Sequence, residues 1–142
     1  MEKKTDDLMK SLLHERDVGA YLRENAGELT GGSLAEYLNT LLVRKKCKKS
    51  DAIAAAGLDR VYGYQLFSGK RTNPARDKLL CLAFGMALSV DEAQALLRRA
   101  EKPGLYPRDR RDSLILFALK EGKRLFECNT LLEQEGEPLL EG

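Results

Sequence analysis

Apolar residues recur at three- and four-residue spacing along the chain, and no strand-like alternation is sustained, so the pattern predicts an all-α protein. Thr5, followed by Asp6 and Asp7, reads as an N-cap with an acidic first turn for a helix whose apolar face is Leu8, Met9, Leu12 and Leu13. A second short helix is expected over residues 18–28, with Tyr21 and Leu22 turned inward. Thr30-Gly31-Gly32-Ser33 is the clearest break. Ser33 and Glu36 have capping-box spacing, so a helix begins at Leu34, with Leu34, Tyr37, Leu38, Leu41 and Leu42 on one face. It runs into Arg44-Lys45-Lys46-Cys47-Lys48-Lys49, where cations suit the negative end of the helix dipole and otherwise form a solvated run.

Shorter helices follow. One is expected over residues 49–56 and is closed by Gly57, and one over 60–67 is capped by Asp59. Residues 68–74 carry Gly and Asn-Pro turn chemistry. Pro74 is expected to open a helix reaching Phe84, and Ser89 to cap another running to about Ala100. After a break at residues 102–107, two last helices are expected over 108–121 and 125–135, with Gly122 and Gly136 as stops. Residues 79–83 line up with 114–118 at an offset of 35, and the same offset places Leu96-Leu97 on Leu131-Leu132. Two similar helical hairpins are therefore expected, although any two Leu-rich amphipathic hairpins share part of this pattern. Two copies fall short of the three or so repeats that a solenoid needs.

The composition excludes several classes. A chain of 142 residues fits one domain with a hydrophobic core, and 43% hydrophobic with 32% charged residues describes a folded chain with a charged surface. No apolar run approaches the roughly 20 residues of a membrane helix, and the N-terminus lacks the apolar stretch of a secretory signal. Cys47, Cys81 and Cys128 are odd in number and scattered, so neither a disulfide framework nor a zinc site is expected, and a reduced cytoplasmic setting fits best. His14 is the one histidine and reads as a solvated helix residue. With no phosphate loop, metal cluster or nucleophile elbow, the chain is not expected to be an enzyme, and no cofactor is implied.

The net charge of +2 conceals a polarity. Residues 1–30 carry −2, 31–80 carry +6, 81–112 carry +1 and 113–142 carry −3. A basic third of the chain flanked by acidic ends is the electrostatic footprint expected for a polyanion partner, and the bland alternative is a solvated helix face.

Residues 49–60, Lys-Ser-Asp-Ala-Ile-Ala-Ala-Ala-Gly-Leu-Asp-Arg, and the downstream loop Ser68-Gly69-Lys70-Arg71-Thr72-Asn73-Pro74 carry a resemblance. Their order of signals (helix, Gly turn, apolar residue, N-cap, helix, Gly-Lys-Arg loop) resembles the XRE-type, lambda-repressor-like helix-turn-helix family. Leu82, Leu88-Ser89 and residues 93–97 fit that family's fourth and fifth helices, so the likeness spans about half the chain. It implies a five-helix core over residues 33–101, an N-terminal helical extension over 1–32 and a C-terminal helical hairpin over 102–142 packed on the core. It also implies a sequence-specific transcriptional regulator of double-stranded DNA that acts as a homodimer, with the helix near 60–67 in the major groove. Arg60, Val61, Tyr62, Tyr64 and Gln65 would then face base edges, where Gln can pair bidentately with adenine and Arg with guanine. Tyr62 and Tyr64 cannot both face the same way, so one is expected buried and one exposed. Lys49, Ser50, Lys70, Arg71 and Asn73 would reach phosphates. The acidic flanking helices would be free for a protein partner, and no membrane is involved.

Three residues depart from the family pattern. Ile53 stands where a small residue is usual, Gly63 where a large apolar anchor is usual, and Phe67 where a polar residue is usual. Phe67 is expected as an exposed apolar contact. Together these departures keep a second function in view, a helical protein–protein interaction module of adaptor or antitoxin type that uses the same fold without DNA.

Overall fold

Seven helices account for the regular structure of residues 33–142, the part of the chain that the structure, a computed structural model, describes. They are α1 (Leu34–Lys45), α2 (Lys49–Ala55), α3 (Arg60–Ser68), α4 (Arg76–Gly85), α5 (Val90–Arg99), α6 (Arg110–Lys120) and α7 (Leu125–Gln134), with no strand among the described residues. The described part is therefore all-α. The expected Thr5 cap, the helices at Leu8 and at 18–28, and His14 lie outside the described residues.

Side-chain caps start the helices where small polar residues stand. Ser33 Oγ accepts from the Glu36 N–H, Asp59 from Tyr62, Ser89 from Glu92 and Asp109 from Asp112. Two expected starts move. Pro74 is buried and lies before α4, whose N-cap is Ala75, and α6 begins at Arg110 because the Asp109 carboxylate supplies the cap. Four helix-to-helix joints are alike: Lys46, Gly57, Ala87 and Gly122 adopt φ of 52°, 65°, 54° and 67°. At each, the next N–H returns to a carbonyl five residues back (Cys47 to Leu42, Leu58 to Ile53, Leu88 to Ala83, Lys123 to Ala118). Within residues 33–142, contacts pair the helices as three successive hairpins, α2–α3, α4–α5 and α6–α7, which follow α1.

Packing is closest around α2. It touches α3 on one side and α4 on the other. A Cβ on Gly63 of α3 would lie 2.6 Å from Ile53 Cγ2, and one on Gly85 of α4 would lie 2.5 Å from the Ala52 carbonyl oxygen. Ile53 and Gly63 therefore exchange the usual sizes across the α2–α3 crossing, large on α2 and small on α3. Helix α1 lies across α3 and α5. Asn39 Nδ2 donates to the Phe67 carbonyl at 2.9 Å, and Lys45 Nζ meets Glu92 Oε1 at 2.6 Å, so Lys45 is bound rather than solvated. Burial alone would raise the Glu92 carboxyl. The Lys45 hydrogen bond and those from Ser89 outweigh it and hold the group below the ordinary glutamate range.

The expected hairpin echo extends into polar contacts. Arg76 and Arg111, 35 residues apart, each begin or nearly begin a helix, and they cross. Arg76 makes two hydrogen bonds to Asp112 (3.0 and 2.8 Å), and Arg111 makes two to Asp77 (3.1 and 3.0 Å). Each guanidinium also ties down a following segment, Arg76 at the Pro103 and Gly104 carbonyls and Arg111 at those of Pro138 and Leu139. Gln94 and Leu105 exchange two hydrogen bonds, and so do Asn129 and Leu140. Asp112 is the one buried charged residue among those described, and it also accepts from the Tyr106 N–H at 3.0 Å. Residues 33–142 form one compact unit through these contacts.

Gly85→Ala is expected to destabilise more than Gly63→Ala, because its Cβ meets backbone that cannot turn aside. Overpacking of this kind costs about 1–3 kcal/mol. Adding Ile53→Ala to Gly63→Ala should cost less than the sum of the two single changes, whereas adding it to Gly85→Ala should give simple additivity. Asp112→Ala should cost about 3 kcal/mol by leaving Arg76 without its carboxylate. Urea unfolding of the seven proteins, wild type and the Ile53→Ala single variant included, measures all of these.

Candidate functional site

Helix α3 turns Gly63, Leu66 and Phe67 into the core. The helical period then puts Val61, Tyr64, Gln65 and Ser68 on the opposite face, with Arg60 and Tyr62 at its flanks. Val61 is 64% exposed and Tyr64 is 37% exposed. Phe67 is only 2% exposed, which corrects the expectation of an exposed contact. The reason is geometric. Phe67 lies one helical turn from Gly63, on the side that Ile53 and α1 cover. The expected division of the tyrosines is also softened, since Tyr64 is exposed and Tyr62 only half-buried.

The side chains around this face are cationic, and they rest on aromatic rings. The Lys49 ammonium lies 5.7 Å from the centre of the Phe67 ring, and the Arg60 guanidinium 5.9 Å from that of Tyr64. Arg71 and Lys78 lie 5.5 and 4.7 Å from the centre of Tyr62. None of these four cations has a carboxylate within salt-bridge distance among the described residues, whereas Arg44, Lys45, Arg76 and Arg111 all do. A cation over a ring keeps its full charge, so this arrangement orders the side chains without neutralising them. Burial raises the Tyr62 phenol above its ordinary value, and Arg71 partly opposes the shift.

Hydrogen bonds fix two further members. Arg71 Nε donates to Gln65 Oε1 at 2.9 Å, and the Arg71 N–H donates to the Gln65 carbonyl at 3.1 Å. Gln65 is therefore half-buried, and its amide presents its NH2 group while its oxygen is engaged. Asn73 Oδ1 accepts from Lys102 Nζ at 2.8 Å. Ser50 and Lys70 are exposed, and Lys49 is half-buried at the first turn of α2. The structure thus brings Arg60, Val61, Tyr64 and Gln65 onto or beside one helical surface, sets Tyr62 at its edge, and brings Lys49 and Arg71 against α3. It adds Lys78 and Lys102, which sequence reading missed. The sole signal for Lys78 was membership of the basic stretch, and Lys102 lay outside it; the contacts to Tyr62 and Asn73 span 16 and 29 residues.

The described residues hold no group of three or more metal-ligating side chains, and no described helix is long and apolar enough to cross a membrane. Burial pushes the Cys81 and Cys128 thiols up to about 11, which removes them as thiolate nucleophiles near neutral pH. No family model matches the chain, and no curated protein or solved structure is significantly similar to it.

The Tyr62 phenol is expected to titrate above free tyrosine, and to move higher still in Arg71→Gln, where the opposing charge is gone. Ultraviolet difference titration against Tyr62→Phe isolates that phenol. A Tyr62 titration unmoved by Arg71→Gln would contradict the packing of Arg71 on this ring.

Proposed function

We propose that the chain binds double-stranded DNA as a sequence-specific transcriptional regulator of the XRE type, with α3 in the major groove and α2 against the backbone. The observation that carries this reading is the set of cations arranged around α3 on aromatic rings, without carboxylate partners among the described residues. A surface that orders positive charge and leaves it unneutralised is suited to a polyanion, and the outward residues between the cations can reach base edges.

The geometry refines the roles. Val61 suits a thymine methyl, and Tyr64 and Arg60 act together, since the guanidinium lies over the ring. Gln65 cannot pair bidentately with adenine while its oxygen is held by Arg71, so it acts as a donor, toward guanine N7 or O6 or thymine O4. Lys49, Ser50, Lys70 and Arg71 supply backbone contacts. Asn73 contributes its amide NH2 group, and Lys78 and Lys102 extend the cationic rim. One short helix reads few base pairs, so the regulator works as a homodimer on paired half-sites in the cytoplasm.

The second reading is a helical interaction module, favoured by the exposure of Val61 and Tyr64 in the middle of the same face. Stoichiometric capture of a protein with no DNA retained would select it.

Binding to sequences enriched from a random duplex pool should fall with salt. Lys49→Ala and Lys70→Ala should each weaken all sequences alike and lower the slope of log K against log[salt] by about 1. Val61→Ala should cost about 1–3 kcal/mol at one base-pair position only. Arg71→Ala should do both, because it removes a cation and releases Gln65. A pool that yields no enriched sequence at moderate salt would overturn the reading.

A further inference from the structure

The α4–α5 and α6–α7 hairpins share one geometry but differ in what covers them. On the first, α1 lies along the α5 face that carries Glu92, Leu96 and Arg99. Lys45 and Arg44 reach Glu92 at 2.6 and 3.7 Å, Arg99 lies 4.9 Å from the Tyr37 ring centre, and Leu82 and Leu96 are fully buried. Moving 35 residues along gives the matching face of the second hairpin: Glu127, Leu131 and Gln134, with Phe117 in place of Leu82. These residues and Phe126 line an open groove of about 300 Å³. Phe117 is 47% exposed there and Phe126 60%.

Two features argue that this face is built to be covered. A surface left to solvent would be expected to become more polar than its covered counterpart. Here Leu82 is answered by the larger Phe117, and the exposed acid Asp91 by Phe126, while Leu88, answered by Lys123, and Ala95, answered by Thr130, go the other way. Large exposed aromatic pairs beside a groove mark interaction sites. The charge is also complementary to the same kind of occupant. The Glu127 Oε1 accepts from the Arg124 N–H at 2.9 Å, as Glu92 Oε1 accepts from Ser89. Among the described residues Glu127 forms one ion pair, a longer one with Arg124 at the start of its own helix (Nε to Oε1, 3.7 Å), whereas Glu92 is met by two cations of another helix, Lys45 and Arg44 of α1.

We propose that the α6–α7 face docks an amphipathic helix of a separate protein, one whose apolar residues follow the spacing of Leu38, Leu41 and Leu42 in α1 and whose last turn carries a cation for Glu127. This goes beyond DNA binding and does not depend on it, since none of these residues belongs to the α3 face. Helix-in-groove recognition of this kind uses a few apolar anchors at helical spacing.

The probe is a fluorescent, side-chain-stapled peptide with the sequence of α1, Leu34–Lys45, titrated into the full-length protein. Saturable binding is expected, and a peptide with Leu38→Ser, Leu41→Ser and Leu42→Ser should not bind. Phe117→Ala with Phe126→Ala should weaken binding at least about tenfold, since central anchors dominate such interfaces. Glu127→Gln, which keeps an oxygen for the Arg124 N–H, should weaken it about threefold. Phe117 is about half exposed and Phe126 more so, so circular dichroism should show these variants folded. A benzoylphenylalanine at position 126 should capture the peptide on illumination. The proposal is overturned if the peptide does not bind, or if it binds the double variant as well as the wild type. It is also overturned if position 126 crosslinks only within its own chain or to a second copy.

Discussion

Two missing methyl groups set the arrangement of these helices. Helix α2 has seven residues and is rich in alanine, and a glycine faces it on each side, Gly63 from α3 and Gly85 from α4. Neither approach leaves room for a Cβ. The short helix is therefore held at close range on two sides, and its position fixes those of its neighbours. In a close-packed interior there is little slack to absorb even one added carbon. The size exchange between Ile53 and Gly63 is thus a solution to the crossing rather than a defect in it. A glycine inside a helix costs roughly 1 kcal/mol in propensity, and the contact with Ile53 gives that cost a purpose.

This close fit determines what α3 presents. With Gly63, Leu66 and Phe67 turned inward, Val61 and Tyr64 have no course but outward. The cations around them are ordered by rings and by one amide rather than by carboxylates. A basic stretch can be neutralised internally, as Lys45 and Arg44 are by Glu92, or kept available, as Lys49, Arg60, Arg71 and Lys78 are. The proposed DNA-binding role rests on that division, which a count of charges does not reveal.

The C-terminal half solves a different problem, that of stacking one hairpin on another. Crossed Arg–Asp pairs between the starts of α4 and α6 do this, and each arginine also binds the carbonyls of the segment that follows its own hairpin. Burial of Asp112 is tolerable because three hydrogen bonds from the Arg76 guanidinium and the Tyr106 N–H replace its water. With the geometry kept by these anchors, the outer face of α6–α7 is free to differ from that of α4–α5, and it does so by becoming aromatic.

Much of the local structure was legible in the sequence. Helical spacing, the caps at Ser33, Asp59 and Ser89, and the glycine stops at Gly57, Gly122 and Gly136 act within a few residues of one another, so pattern alone exposes them. The apolar part of the 35-residue echo was legible for the same reason. Its polar part was not, because Arg76 with Asp112 and Arg111 with Asp77 have meaning only once two distant helix starts are side by side. The candidate surface divides likewise. The helix-turn-helix resemblance singled out Arg60, Val61, Tyr62, Tyr64 and Gln65, but burial of Phe67, capture of Gln65 by Arg71 and recruitment of Lys78 depend on contacts between elements. Sequence determines which segments become helices through short-range hydrogen bonding and periodicity. Which of their faces remains open, and which charges remain unpaired, is decided by packing between residues far apart in the chain.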